Sequence, residues 1–212
     1  MSYDDVRIGA FLDDVASERV APAGGTVVAV TGAMGAALCE MACVHTMSAR
    51  ETSDATVQHG TDGAAERSFD SIRGDLARRR RELLALAAQD ATLVDELFGS
   101  DAGEPTDRLA KRAAGIPLAT AESSLAVLEA AVVVERGRSG VAADARAGAY
   151  LADAAVQASI STVRVNAAAL SDRSFAETMT ARADALSASA ADVRSDVLGG
   201  TAATASRRGG RG

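Results

Sequence analysis

The sequence predicts an all-α protein, an antiparallel helical bundle of six or seven helices. Three observations predict it. Hydrophobic residues make up 48% of the 212-residue chain but aromatic residues only 3%, with no Trp and three Pro. Much of that apolar content is Ala, which has the best helix propensity and lets backbones approach closely, whereas strands favour β-branched and aromatic residues. Phe69, Ile72, Leu76, Leu83, Leu86, Leu93 and Leu97 recur at alternating three- and four-residue spacing, the signature of a helix with a buried seam. No segment reads as a convincing strand, so helices must cover helices.

The first helix is expected to open at Ser2, with Asp4 and Asp5 in its first turn, and to present Ile8, Phe11, Leu12 and Val15 before stopping ahead of Pro22. A turn at Ala21-Pro22-Ala23-Gly24-Gly25-Thr26 follows, with Thr26 placed to cap an apolar helix running from Val27 to about Met47. That helix approaches the length of a membrane span. Glu40 interrupts it, Ala, Gly, Val and Met dominate it, and its N-terminal flank lacks basic residues, so a central bundle helix is expected and no membrane contact. Gly32 and Gly35 then serve close helix packing.

Residues 50–63 are polar and aperiodic and read as a loop over a site. The long helix from about Ala64 to Phe98 carries two polar interruptions in its seam, Arg79 and Asp90. After a turn at 101–107, a short helix is expected to end near Gly115. Pro117 then kinks it or begins another helix that closes at Gly137–Gly140. A small-residue helix from Val141 to about Leu170 and a last helix capped by Ser171 or Asp172 complete the bundle. No break divides the chain, so residues 1–198 are expected to form one domain. The Gly/Arg-rich tail, 199–212, is expected to be disordered.

The formal net charge of −7 argues against a general nucleic-acid binder, which needs a basic face. Cys39 and Cys43, four apart in an apolar stretch, read as reduced, buried small hydrophobes. Neither His45 nor His59 extends their face into a four-ligand set, so no metal is expected. The stretch Met1–Asp5 is acidic where a secretory signal would be basic, which leads to the expectation of a cytoplasmic protein. Small-residue faces on the second and fifth helices suggest a homodimer. The run Val27–Ala37 superficially resembles a strand entering a dinucleotide-binding turn. It holds only Gly32 and Gly35 of the three glycines such a turn needs, and no further strand–helix units follow.

Several separated stretches together resemble one known family. Phe11-Leu12, the turn Ala21–Thr26 with Val27-Val28-Ala29, and Gly32-Ala33-Met34-Gly35-Ala36-Ala37-Leu38 lead the match. Ala88-Gln89-Asp90-Ala91, Ile116-Pro117-Leu118, Ala143-Asp144-Ala145 and Val163-Arg164-Val165-Asn166 follow in the same order. The pattern is similar to that of the formimidoyltetrahydrofolate cyclodeaminases and methenyltetrahydrofolate cyclohydrolases, the C-terminal domain of formiminotransferase-cyclodeaminase. The chain departs from it in having Ala23 and Thr26 around a shortened Gly24-Gly25 run. It also lacks the lysines that the family carries after its second helix, for which Arg50 or Arg67 would have to substitute.

The resemblance implies a reduced folate as substrate, with no metal or other cofactor. It implies hydrolysis of the methenyl bridge of 5,10-methenyltetrahydrofolate, the favoured reaction, or cyclisation of 5-formiminotetrahydrofolate with loss of ammonia. A non-catalytic helical dimer that kept the fold is the alternative from another class. Both reactions pass through a tetrahedral carbon between two nitrogens and need a positioned proton-transfer group. Asp90 and Asp144 are the candidates, because a carboxyl in an apolar seam has its pKa raised toward neutrality. The competing expectation is a pairing of Asp90 or Asp144 with an arginine such as Arg79 or Arg146 across the bundle, or, for Asp144, first-turn dipole stabilisation at a helix start. Gly24, Gly25 and Thr26 are the candidate substrate-binding turn, since a glycine-rich helix start offers free amides. Asn166 is a further candidate, either for the pterin or for a neighbouring carbonyl.

Overall fold

A computed structural model of the protein describes residues 3, 5–54, 63–99, 106–137 and 139–198. The expected helix start at Ser2, the loop at 55–62, the turn at Pro105 and the tail 199–212 lie outside those residues, as do the side chains of Arg50 and Arg67. Among the described residues six α-helices follow one another: α1 Ile8–Val15, α2 Gly24–Asp54, α3 Gly63–Phe98, α4 Asp107–Glu135, α5 Ala142–Ala168 and α6 Arg173–Leu198. A single 3-10 turn, Ser139–Val141, joins α4 to α5. Among the described residues there is no strand, and the segment that mimics a nucleotide-binding strand is the first half of α2.

The helices run up and down in turn. Gly25 lies beside Asp90 and Gly32 beside Leu83, so α3 is antiparallel to α2. Gly35 meets Gly148, and the Cys39 thiol lies 3.8 Å from the Ala145 carbonyl, so α5 also opposes α2. Pairs between Glu135 and Arg146 and between Ala113 and Asn166 set α4 against α5. Arg164–Asp184 at 2.7 Å and Arg194–Asp153 at 3.5 Å set α6 against α5. Helix α4 touches α2, α3, α5 and α6 and is the axis of the bundle.

Small residues allow this closeness. A β-carbon on Gly35 would stand 2.8 Å from the Gly148 carbonyl oxygen, and one on Gly32 would stand 2.7 Å from the Ser124 hydroxyl. The small-residue faces of α2 and α5 are therefore consumed by packing on each other within one chain, which removes them as the reason for expecting a dimer. Cys39 and Cys43 are free and buried, and burial pushes their thiols up to about 12 and about 11, so they pack as neutral hydrophobes. By length and composition α2 (24–49) and α4 could each cross a membrane. In the bundle α4 is packed among four other helices, and α2 carries the Glu40–Arg80 ion pair to α3.

Three boundaries differ from the sequence expectation. Helix α1 starts at Ile8 because Arg7 is extended (φ −67°, ψ 133°) and Tyr3 folds back edge-on against Phe11, with ring centroids 5.5 Å apart. Helix α2 begins at Gly24 and continues to Asp54, past the expected stop near Met47, because a polar sequence can still propagate a helix once it is nucleated. Helix α4 runs through Pro117 as one helix, which excludes the alternative of a short helix ending near Gly115. Proline removes the N–H that would bond the carbonyl four residues earlier. That carbonyl, on Ala113, instead accepts the side-chain amide of Asn166 from α5.

Candidate active site

Asp90 sits late in α3, facing the first turn of α2. The Thr26 hydroxyl donates to Asp90 Oδ2 at 2.8 Å, and the Thr26 backbone N–H donates to the same carboxylate. The first amides of a helix have no partner within it, and its N-terminus carries partial positive charge. Asp90 thus supplies from another helix the acceptor that a capping residue usually provides. Thr26, expected to be that cap, lies inside α2 with no exposed surface. It positions the carboxylate and is too buried to touch a ligand itself.

Gly25 makes the arrangement possible. A β-carbon there would stand 2.2 Å from Asp90 Oδ1 and 2.8 Å from Oδ2. Among the described residues no glycine has positive φ, so Gly25 is required for close approach rather than for a special turn. Gly24 is exposed, with open space where a side chain would be, and stays available to a ligand.

Burial pushes the Asp90 carboxyl above the ordinary carboxylate range, and the two Thr26 hydrogen bonds pull it back without cancelling the rise. The side chain remains partly open to solvent. Neither expected ion pair forms: Arg79 bonds Glu82 on its own helix at 2.8 Å, and Arg146 bonds Glu135.

Asp144 does not join this site. It stands in the first turn of α5, next to the Ala145 carbonyl that meets Cys39. Thirteen residues of α2 separate that level from Thr26, roughly 20 Å along the axis at 1.5 Å per residue. Within one chain the two carboxylates cannot serve the same reacting carbon. Asn166 lies at the Asp90 end of the bundle, but its amide is committed to the Ala113 carbonyl, which is the structural one of its two expected roles.

Two openings border α3, one at Leu86 and Gln89 beside Asp90 and one at Arg80 and Leu84. One, a cleft of about 570 Å³ between α3 and α4, is lined by Leu86, Gln89, Lys111, Arg112 and Ile116. Two of its cations are matched by carboxylates, Lys111 by Asp172 at 2.8 Å and Asp107 at 3.0 Å, and Arg112 by Glu96 at 2.8 Å, and Arg108 lines it as well. The other, a groove of about 450 Å³, is apolar and runs between the N-terminal segment, α2 and α3. Tyr3, at its edge, is a residue the sequence reading missed. Burial, then the negative charges of Asp90, Asp14 and Asp95, push its phenol up, so it stays a neutral hydrogen-bond donor. Nothing in the local pattern around Tyr3 marks it, because its relation to Asp90 exists only after the chain folds back.

Residues 7–185 match the family model described as formiminotransferase-cyclodeaminase. The chain is 31% identical over 183 residues to a methenyltetrahydrofolate cyclohydrolase of Methylorubrum extorquens, an alignment covering 80% of this chain and 83% of that protein. Its fold matches the crystal structure of a formiminotetrahydrofolate cyclodeaminase from Thermotoga maritima with a TM-score of 0.79, at 22% identity, over 91% of this chain and 94% of the other. A match over most of the helical bundle, with the glycine turn and the late α3 carboxylate inside it, places this chain in the formiminotransferase-cyclodeaminase family of folate one-carbon enzymes.

Proposed function

We propose that the protein hydrolyses 5,10-methenyltetrahydrofolate to 10-formyltetrahydrofolate, with Asp90 as the proton-transfer group. The observation that carries the reading is the partly buried Asp90 carboxylate, fixed by Thr26 at 2.8 Å and raised in pKa by burial. The similarity to a protein named as a methenyltetrahydrofolate cyclohydrolase favours this reaction over cyclodeamination.

The methenyl carbon is an electrophile shared by N5 and N10. Water adds to it, and Asp90 accepts the proton that water loses as the carbon–oxygen bond forms. The resulting tetrahedral carbon bears a hydroxyl and both nitrogens. Asp90 then returns a proton to N5 as the carbon–N5 bond breaks, and loss of the hydroxyl proton leaves the formyl group on N10. A carboxyl whose burial raises it above its usual range is a better proton acceptor than an exposed one and can also return the proton it takes. Gly24 and the start of α2 are the candidate contact for a substrate carbonyl.

The test is to follow loss of the methenyl chromophore with purified protein, and in parallel ammonia release from 5-formiminotetrahydrofolate. Methenyl hydrolysis without ammonia release is expected. Ammonia release alone would reassign the reaction, and neither activity, with no saturable folate binding, would leave a helical scaffold.

A further inference from the structure

The apolar groove beside α2 and α3 has a shape and an end-group that the proton-transfer site does not use. On α2 it is bordered by Val27, Val30 and Met34 and reaches Ala37, and on α3 by Leu84 and Arg80. Val27 directly follows Thr26, the partner of Asp90. Arg80 closes the other end, where its Nε donates to Glu40 Oε2 at 3.0 Å. The groove therefore runs from Val27, one residue past Thr26, to Arg80 of the Glu40–Arg80 pair. Ten residues of α3 separate Asp90 from Arg80, roughly 15 Å of helix at 1.5 Å per residue.

We propose that this groove seats the p-aminobenzoyl-glutamate half of the folate substrate, with Arg80 receiving its α-carboxylate. The inference rests on the folate reading above and names where the non-reacting half of that substrate lies. Small-molecule sites are largely apolar with a few placed polar groups, and a benzoyl ring suits a floor of Val30 and Leu84. From the one-carbon centre, the ring and amide of that half reach a carboxylate after roughly 10 Å by ordinary bond lengths. The Arg80 side chain spans the remainder. Its bond to Glu40 fixes the guanidinium through Nε, and the two terminal amino groups form the fork that suits a carboxylate.

The experiment compares 5,10-methenyltetrahydrofolate with 5,10-methenyltetrahydropteroate, which lacks the glutamate, on wild type, Arg80→Gln and Glu40→Gln. Calorimetric titration with tetrahydrofolate and tetrahydropteroate reads binding independently of turnover. The expected result is that Arg80→Gln raises KM and Kd for the glutamate-bearing ligand by about tenfold or more, leaves kcat within about twofold, and leaves the pteroate unaffected. Glu40→Gln, which keeps the cation, should not raise KM for either.

Equal losses on both ligands, no loss on either, or the same loss in Glu40→Gln would overturn the proposal. So would a changed sedimentation coefficient accompanying equal losses, which would give the groove to a second copy of the chain. Arg80-dependent binding without turnover would keep the groove and reject the reaction. Turnover without Arg80 dependence would keep the reaction and reject the groove.

Discussion

The Asp90 carboxylate occupies the space that a β-carbon on Gly25 would need: Oδ1 lies 2.2 Å from that position. A glycine at the start of α2 and an acid late in α3 therefore form one unit. Thr26 completes it by donating its hydroxyl and its amide to the same carboxylate.

Gly25→Ala should accordingly act through Asp90. The short carboxylate can escape the new methyl group only by rotating away, which gives up the Thr26 hydroxyl and leaves helix amides without an acceptor. A loss of about 1–2 kcal/mol, the scale of a lost helix cap, is expected in denaturant unfolding, with a larger proportional loss of turnover. Retained turnover with lowered stability would show that the position of Asp90 is unimportant to the reaction.

Thr26→Val keeps the shape and removes the hydroxyl donor. That hydroxyl lowers the Asp90 pKa, so its removal should move the carboxyl further up. If the ionised form begins the reaction, the acidic limb of the kcat profile shifts to higher pH. A profile that does not move would separate Asp90 from the rate-determining proton transfer.

Some of this was legible in the sequence and some was not, for a physical reason. The α3 seam, the Gly32 and Gly35 contacts and the Asp172 cap follow from local rules of spacing, size and capping, and the last appears as the Phe175 amide donating to Asp172 at 3.0 Å. Asp90 stood out because it broke a local pattern. Its partner did not, because Thr26 lies 64 positions away. The choice between a continued and a broken helix at Pro117 stayed open for the same reason, since the compensating donor on Asn166 is 53 positions from the carbonyl it serves. The distance between Asp90 and Asp144 likewise depends on helix direction, which no motif records.

Asn166 offers a direct check on that compensation. Asn166→Ala should leave the Ala113 carbonyl short of a donor and cost about 1–2 kcal/mol, with turnover per folded molecule unchanged. Adding Pro117→Ala restores a helical N–H to that carbonyl and should return much of the loss, so the two changes should be strongly non-additive. Additive losses would reject the pairing. A selective loss of folate affinity would return Asn166 to the substrate.

Self-association is still expected, on a different face from the one the small residues suggested. Val44 is exposed at 41% and, with the half-buried Met41 one turn before it, makes an apolar patch on α2 beyond the groove. Val44→Lys, outside the groove, should shift sedimentation toward the monomer without unfolding the chain. A wild-type monomer at micromolar concentration would end the expectation.

Asp90→Asn gives the sharpest test of the proposed reaction. Asparagine can accept from Thr26 through its carbonyl oxygen but cannot take up a proton, so turnover should fall by about a hundredfold or more while the fold persists. Stability carries a second, independent signature. The Asp90 carboxyl is raised in the folded protein, so the native state binds its proton more tightly than the unfolded chain does. That contribution is full below the ordinary carboxylate range and is lost as pH rises through the folded value. The melting temperature of wild type relative to Asp90→Asn should therefore be highest below about pH 4 and decline as pH rises through the folded value, because only wild type then carries the cost of a buried charge. The Asp90→Asn variant would then be at least as stable as wild type at neutral pH and nearly inactive, the combination expected of a residue kept for chemistry at the expense of stability. A variant that is destabilised at neutral pH but fully active per folded molecule would make Asp90 a cap for α2 and nothing more.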